Sequence, residues 1–327
     1  MNPFWSHEPE IESELNTILG IINAVNQSSE AHLNESVDYL TATGGKMLRP
    51  ALFLMGTRFG AEPDAEKKEG LLTLAAAIEN LHLATLIHDD VVDESRLRRG
   101  QATIQSRYGK EFAVYMGDYL LCQCFLMLSE HAYDKETLKV VSAGCSKVCL
   151  GEIRQYQSRN NPELTVREYK KIIAGKTAAL FAVSLFAGAR EAGAPEAVTK
   201  TLARMGYCLG MAFQIIDDLL DYQGEASVFG KDTLMDLQKG CITLPLILGL
   251  RGSAGPEIRR ILSQGVLKAE DAGTLGRLLK STTALEISER AAADYTHKAM
   301  NYLKRLPEGA GRTLLAEALP RLLKRKV

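Results

Sequence analysis

Apolar positions in this chain recur at three- and four-residue spacing through most of its length, and alternating β-branched runs are almost absent. That periodicity predicts an all-α protein. Proline placement agrees: none occurs between Pro63 and Pro162, and Pro195 alone interrupts the stretch from there to Pro245, so long helices are permitted. The pattern predicts helices over 10–28, 32–42, 48–59, 67–95, 111–133, 136–158, 165–191, 196–223, 242–250, 256–264, 268–280, 283–304 and 310–325. Turn signals separate them at Gly44-Gly45, Gly60 to Asp64, Arg99-Gly100, Asn160-Asn161-Pro162, Gly193 to Pro195 and Gly224 to Gly230. With no Ser/Gly linker, short-period repeat or low-complexity segment, the expected organisation is one bundle-like domain over residues 1–327.

Two stretches break the apolar pattern in the same way. Leu86-Ile87-His88-Asp89-Asp90-Val91-Val92-Asp93 and Ile215-Ile216-Asp217-Asp218-Leu219-Leu220-Asp221 each carry a DDxxD box on a predicted helix. The first and last aspartates of a box lie one turn apart on one face, with the middle one beside them. Three like charges within a turn repel one another, so each box calls for something positive between its carboxylates. A hard divalent cation fits, Mg²⁺ in particular, because it is commonly held by a few carboxylates plus substrate phosphates. A solvated acidic face is the bland reading of one box; the apolar pairs around both argue instead for buried helices whose acids face a cavity. The recurrence hints at an old duplication.

Composition narrows the classes. With 39 basic and 40 acidic residues in 327, the formal net charge is −1, so no global basic field points to nucleic acid. The six cysteines (Cys122, Cys124, Cys145, Cys149, Cys208, Cys241) form no CxxC pair and read as reduced and mostly buried. No basic start leads into an apolar run, and no later apolar run reads as a membrane span, so a cytoplasmic location is expected. The basic end, Arg321 with Lys324-Arg325-Lys326, reads as a dipole-complementing helix terminus. Transient contact with an anionic membrane surface is the alternative.

Carboxylates with magnesium imply phosphate, and phosphate needs cations. Gly44-Gly45-Lys46 with Arg49 sets a glycine turn before a helix, without the GxxxxGK[ST] pattern of a P-loop. Arg98 and Arg99 follow the first box at a predicted helix end and point in different directions, enough for two phosphates. Lys176-Thr177 sits in an otherwise apolar helix. His82 lies two turns before Asp89, and Gln214 one turn before Asp217. Singly each reads as an ordinary structural residue. Together with the two boxes they fit a site for one or two Mg²⁺-bridged diphosphates. Such a site makes diphosphate a leaving group by neutralising the charge that develops as the C–O bond breaks.

The motifs Gly44-Gly45-Lys46-Met47-Leu48-Arg49-Pro50, the first box with Arg96-Leu97-Arg98-Arg99-Gly100, Gly117-Asp118-Tyr119-Leu120, Gly151-Glu152 with Gln155, Lys176-Thr177, Phe213-Gln214 with the second box, Gly230-Lys231, Asp236-Leu237 and Thr243-Leu244-Pro245 span nearly the full chain in order. In them the chain resembles the trans-isoprenyl diphosphate synthases, or polyprenyl synthetases. The resemblance implies an all-helical fold around a central cavity, normally a homodimer and in some cases a heterodimer. It implies three Mg²⁺ per active site, with Mn²⁺ as a substitute. The implied reaction is ionisation of an allylic diphosphate, attack by isopentenyl diphosphate and loss of a proton. Carried over, Asp89, Asp90, Asp93, Asp217, Asp218 and Asp221 look like the metal-binding aspartates, and Lys46, Arg49, His82 and Arg99 like the isopentenyl diphosphate pocket. Arg98, Lys176 and Lys231 would hold the allylic diphosphate, with Thr177 and Gln214 over the reacting carbons. Two positions depart from the family pattern: Cys241 replaces a lysine, leaving Lys239 as the substitute, and Ala102 stands where proline is usual.

The residue one turn before Asp89, about 6 Å along the axis, is Thr85, with Ala84 beside it. Short-chain members of the family carry bulky aromatics there. Small side chains leave a tunnel open, so a long-chain product of C30–C50 is expected, with a floor deeper down near Phe125 or Phe53. The alternatives are a C15–C20 synthase, the catalytic half of a heterodimer, and a class I terpene cyclase. A cyclase needs no second diphosphate site and lines its cavity with aromatics, which make up 6% of this chain.

Overall fold

The structure, a computed structural model, describes residues 3–42, 45–98, 100–223, 234–264 and 269–324. The described elements are almost all helices, close to the spans the apolar spacing predicts; the described strands are the two-residue segments Leu97–Arg98 and Gln101–Ala102. The chain divides into two compact units, one of residues 1–143 and 183–200, the other of residues 144–182 and 201–327.

The first unit is built on the helix Ala65–Val92. Asp64 starts it by accepting the Lys67 N–H at 2.8 Å, satisfying a donor that the first turn leaves orphaned. Leu74, Ala75, Ala76, Ala77 and Ile78 are all fully buried. Three alanines in succession add little bulk, and the helices Pro9–Val25, Leu48–Thr57 and Lys110–Glu130 pack around this one. Backbones touch where Gly188 meets Phe53: a side chain there would stand 2.0 Å from the Phe53 carbonyl oxygen. Within this core the Asn80 amide donates to the Leu120 carbonyl at 2.8 Å and accepts from the Asn26 amide at 2.8 Å, tying three helices together through buried hydrogen bonds. The central helix stops at Val92, short of the predicted 95. Asp93 caps it, donating its N–H to Asp89, and Glu94 then turns the chain with a φ of 52°.

The second unit centres on Tyr169, Ile172 and Ile173 packed with Ile215, Leu219 and Tyr222 of the helix Glu196–Gln223, and with Leu246, Ile247 and Leu250. Its helix Val166–Ile173 opens with a reciprocal capping box between Thr165 and Glu168. It runs into a single π-turn, Ala174–Ala178, and then into the helix Ala179–Glu191.

The sequence reading expected no membrane-spanning run, whereas Ala65–Val92, Lys110–Glu130 and Val166–Glu191 are long and apolar enough by length and composition. For Ala65–Val92 and Val166–Glu191 the physical reason is that a helix enclosed in a large bundle is apolar on all sides. Two of the three bury 78% of their most apolar window within the protein, and Lys110–Glu130 buries 33%.

Candidate active site

In the first unit Asp89 and Asp90 occupy the last turn of Ala65–Val92, and Asp93 is its cap. Asp90 is buried and the outer two are half-buried. Its carboxylate accepts from Arg98 Nε at 3.0 Å and Arg98 Nη2 at 2.9 Å, a two-nitrogen grip that supplies a counter-charge. The expectation of arginines at a helix end is corrected here. Arg98 stands in a tight hairpin, pairing with Gln101 across Gly100, whose φ is 77°. Arg99 lies outside the described residues. Burial works against the Arg98 charge, but the bonded Asp90, with Asp89 and Asp93 beyond it, outweighs that and holds the guanidinium more firmly protonated.

In the second unit the box sits on Glu196–Gln223, again with the middle acid, Asp218, buried. It accepts from the Tyr169 hydroxyl at 2.5 Å and the Gln214 amide at 2.8 Å; the Gln214 carbonyl in turn accepts from the Thr177 hydroxyl at 2.6 Å. Thr177, Gln214 and Asp218 thus form one hydrogen-bonded chain. Burial, then the charge of Asp236, with Asp217 adding to it, push the Asp218 carboxyl up to about 8 against the hydrogen bonds from Tyr169 and Gln214. Burial also raises the Tyr169 hydroxyl far above its ordinary value, with Asp218 adding to it, so it stays a donor. Asp221 accepts the Asp236 N–H at 3.4 Å.

Lys176 lies within the π-turn, where one extra residue widens the helix, a distortion common at functional sites. Its ammonium pairs with Glu152 at 2.9 Å. Gly151 admits this approach, since a side chain there would meet the Lys176 backbone nitrogen at 2.5 Å. Neither the π-turn nor the roles of Tyr169 and Asp236 had a periodic signal in the sequence; Tyr169 reads there as one more core aromatic.

Lys46, Arg49 and His82 all belong to the first unit. The Lys46 carbonyl accepts from the fully buried Trp5 indole at 2.6 Å, and its ammonium lies 4.8 Å over the Phe4 ring. Met47, not a glycine, supplies the left-handed residue before the helix Leu48–Thr57, with φ 46°. Gly44, Gly230, Lys231, Arg325 and Lys326 lie outside the described residues. Cys241 is buried, and Lys239 is half-buried in the turn before it. Ala84 is fully buried in a cluster with Ile87, Met116 and Leu120; Thr85 is half-buried. Phe53 is fully buried, but Phe125, named as a possible tunnel floor, is 67% exposed on Lys110–Glu130. That placement is corrected: residue 125 falls on the outer stripe of its helix.

Among the described residues no three His, Cys, Asp or Glu side chains converge as a ready-made metal centre. Mg²⁺ needs none, since it keeps water and takes phosphate oxygens into its shell. The donors fit such an ion: hard carboxylate oxygens, and in the second box a buried acid crowded by like charges with only neutral donors bonded to it.

A helical fold carrying two such boxes defines an enzyme of the metal-assisted diphosphate class. The chain belongs to the polyprenyl synthetase family, whose sequence model matches residues 30–278. It is 35% identical over 294 residues to heptaprenyl diphosphate synthase component 2 of Bacillus subtilis, covering 90% of this chain and 83% of that one. It is 34% identical over 287 residues to octaprenyl diphosphate synthase of Escherichia coli, covering 86% and 87%. Its fold is similar to that of geranylgeranyl pyrophosphate synthase from Lactobacillus brevis, with a TM-score of 0.93, 32% identity and 99% and 100% of the two chains covered. It is also similar to polyprenyl synthase from Caulobacter crescentus complexed with calcium and isoprenyl diphosphate, with a TM-score of 0.87, 32% identity, and 97% and 96% covered. The chain is therefore a trans-prenyltransferase that elongates prenyl chains, from a family dependent on divalent metal.

Proposed function

We propose that this enzyme condenses an allylic diphosphate such as farnesyl or geranylgeranyl diphosphate with successive isopentenyl diphosphates, giving an all-trans polyprenyl diphosphate of C30–C50. The observation that carries the reading is the pair of boxes, each with one buried and two half-buried aspartates. Mg²⁺, three ions with Mn²⁺ as a substitute, supplies the positive charge that makes diphosphate a leaving group. Asp89, Asp93, Asp217 and Asp221 offer it their half-buried oxygens. Arg98, Lys176 and Lys231 hold the allylic diphosphate, and Lys46, Arg49, His82 and Arg99 the isopentenyl one. For this Arg98 and Lys176 share their charge with phosphate as well as with Asp90 and Glu152, their present partners. Thr177 and Gln214, bonded to each other and to Asp218, fix a polar wall beside the reacting carbons. Thr85, the small residue a turn above Asp89, leaves room for the growing chain.

The enzyme works in the cytoplasm as a dimer. Lys110–Glu130 leaves Tyr115, Cys122, Phe125 and Leu126 exposed along one face, an unpartnered apolar stripe of the kind a second copy covers through a twofold. A heterodimer is the second reading, favoured by the likeness to a protein named as component 2 of its synthase. Purified protein given farnesyl diphosphate, isopentenyl diphosphate and Mg²⁺ tests all of this together. Products of C30 or longer are expected. A stop at C15 or C20 removes the long-chain reading, and no turnover without another subunit favours the heterodimer.

A further inference from the structure

Gln105 stands outside the charged groups of the site, yet its side chain holds the backbone of the first box. It is 9% exposed, on the short helix Ile104–Tyr108. A glutamine amide has two hydrogens to give. One goes to the Asp90 carbonyl, the other to the Ser95 carbonyl at 2.9 Å. The same Asp90 carbonyl accepts the Ser95 N–H at 2.9 Å, and the same Ser95 carbonyl accepts the Thr103 hydroxyl at 2.7 Å. The segment closed by these bonds carries Asp93 and passes through Glu94 in the left-handed region, φ 52°, a conformation that costs a non-glycine residue about 1 kcal/mol. The platform under it is itself fixed. Thr103 caps the short helix by accepting the Ser106 N–H and donates its own N–H to Arg96 at 3.0 Å, while the Tyr39 hydroxyl donates to Ala102 at 2.8 Å.

We propose that Gln105 is a positioning residue for the first box. By holding the carbonyls of Asp90 and Ser95 together it keeps the strained turn in which Asp93 stands, and it registers the hairpin that brings Arg98 onto Asp90. The box then meets its divalent ion and diphosphate already shaped. The inference rests on the reading that the first box holds metal. Glutamine suits the place because both acceptors are carbonyls: a glutamate of the same shape has no hydrogen to offer either, and a leucine fills the space with no polar atom.

The test compares the wild type with Gln105→Leu, Gln105→Glu, Gln105→His and Asp89→Ala. Losing a group that orients metal ligands costs roughly 10–100-fold in metal affinity or activity. Gln105→Leu and Gln105→Glu should therefore need at least about tenfold more Mg²⁺ for half-maximal rate and show a raised KM for the allylic diphosphate. Gln105→His, with one N–H to give, should fall between them and the wild type. In metal-free protein, hydrogen exchange should quicken at the amides of residues 93–98, Ser95 foremost. The thermal shift produced by Mg²⁺ with inorganic pyrophosphate should shrink. A Gln105→Leu enzyme with wild-type Mg²⁺ requirement, KM and exchange at 93–98 overturns the proposal. So does one whose exchange rises evenly across the first unit with KM unchanged, which would mark a packing role alone. If Gln105→Leu fails to fold, the histidine variant decides by the same readouts. Should Asp89→Ala keep its activity, the metal reading of the box fails; if it is dead while Gln105→Leu behaves as wild type, only the role of Gln105 is lost.

Discussion

Asp90 and Asp218 hold the same place in their boxes and are both buried, at 6% and 2% exposure. Arg98 meets Asp90 with two nitrogens, from eight residues along the chain. Asp218 is met by a tyrosine hydroxyl and a glutamine amide, neither of them charged. A cation cancels a buried carboxylate, whereas neutral donors only lessen its cost. The first box therefore carries its own counter-charge. The second lacks one at its centre and has Asp217 and Asp236 pressing on it. The same DDxxD string thus builds one box that is already neutralised at its middle and one that awaits a cation.

The largest effect should come where the boxes are alike. Asp89→Ala and Asp217→Ala each remove a half-buried outer oxygen donor, and each should lower kcat/KM by about a thousandfold or more, read by Mg²⁺-dependent elongation. Near-normal turnover in either variant would break the symmetry and remove that box from catalysis. The next effect should separate the boxes. Without divalent ions, Asp90→Asn leaves the Arg98 guanidinium, 39% exposed, short of its counter-charge. Discounted for solvent screening, the loss should be about 1–2 kcal/mol in stability. Above about pH 8, where the metal-free Asp218 carboxyl is ionised, Asp218→Asn removes a buried charge that its neighbours oppose, so there it should raise the metal-free unfolding midpoint while lowering activity. Midpoints that move in the same direction would erase the contrast.

The helices were legible because apolar spacing is a local property, and the structure departs from the predicted spans mainly at ends. The helix through the first box is an example: Asp93 and Glu94 end it by a cap and a left-handed turn that spacing does not encode. Candidate chemistry was legible where charge is written twice, in the two boxes, and where a cation stands in an apolar run, as at Lys176. What joins these residues was not. Tyr169 reaches Asp218 from 49 positions away and has the sequence pattern of a core aromatic. Gln105 reads as a polar residue in a short loop. The π-turn at Lys176 lies against Gly151, a contact between separate helices that local spacing does not encode, and Phe125 fell on the outside because one residue of helical phase decides which face a side chain takes.

Tyr169→Phe sharpens the contrast at moderate size. The variant keeps the ring and removes one of the neutral donors on Asp218, a hydrogen bond to a carboxylate worth about 1.5–3 kcal/mol. The second box should then need roughly tenfold more Mg²⁺ for half-maximal rate, the lower end of what an orienting group is worth. An unchanged Mg²⁺ titration would mean that Gln214 alone sets Asp218.

The smallest effect on rate should be the clearest on product. One turn before Asp217 stands Phe213, its ring 5.2 Å from that of Phe181; one turn before Asp89 stands Thr85. If hydrocarbon grows past the first box and not the second, Thr85→Phe gives both boxes the same aromatic flank and closes that path. The carboxylates are untouched, and Thr85 gives up only a hydrogen bond from its hydroxyl to the His82 carbonyl, 2.8 Å away within one helix turn. The first condensations should therefore proceed at near wild-type rate while chains stop early, at C15 to C20 by chromatography. Phe213→Thr should leave product length as it was. An unchanged distribution in Thr85→Phe would place the growing chain elsewhere, and longer chains from Phe213→Thr would assign it to the second box.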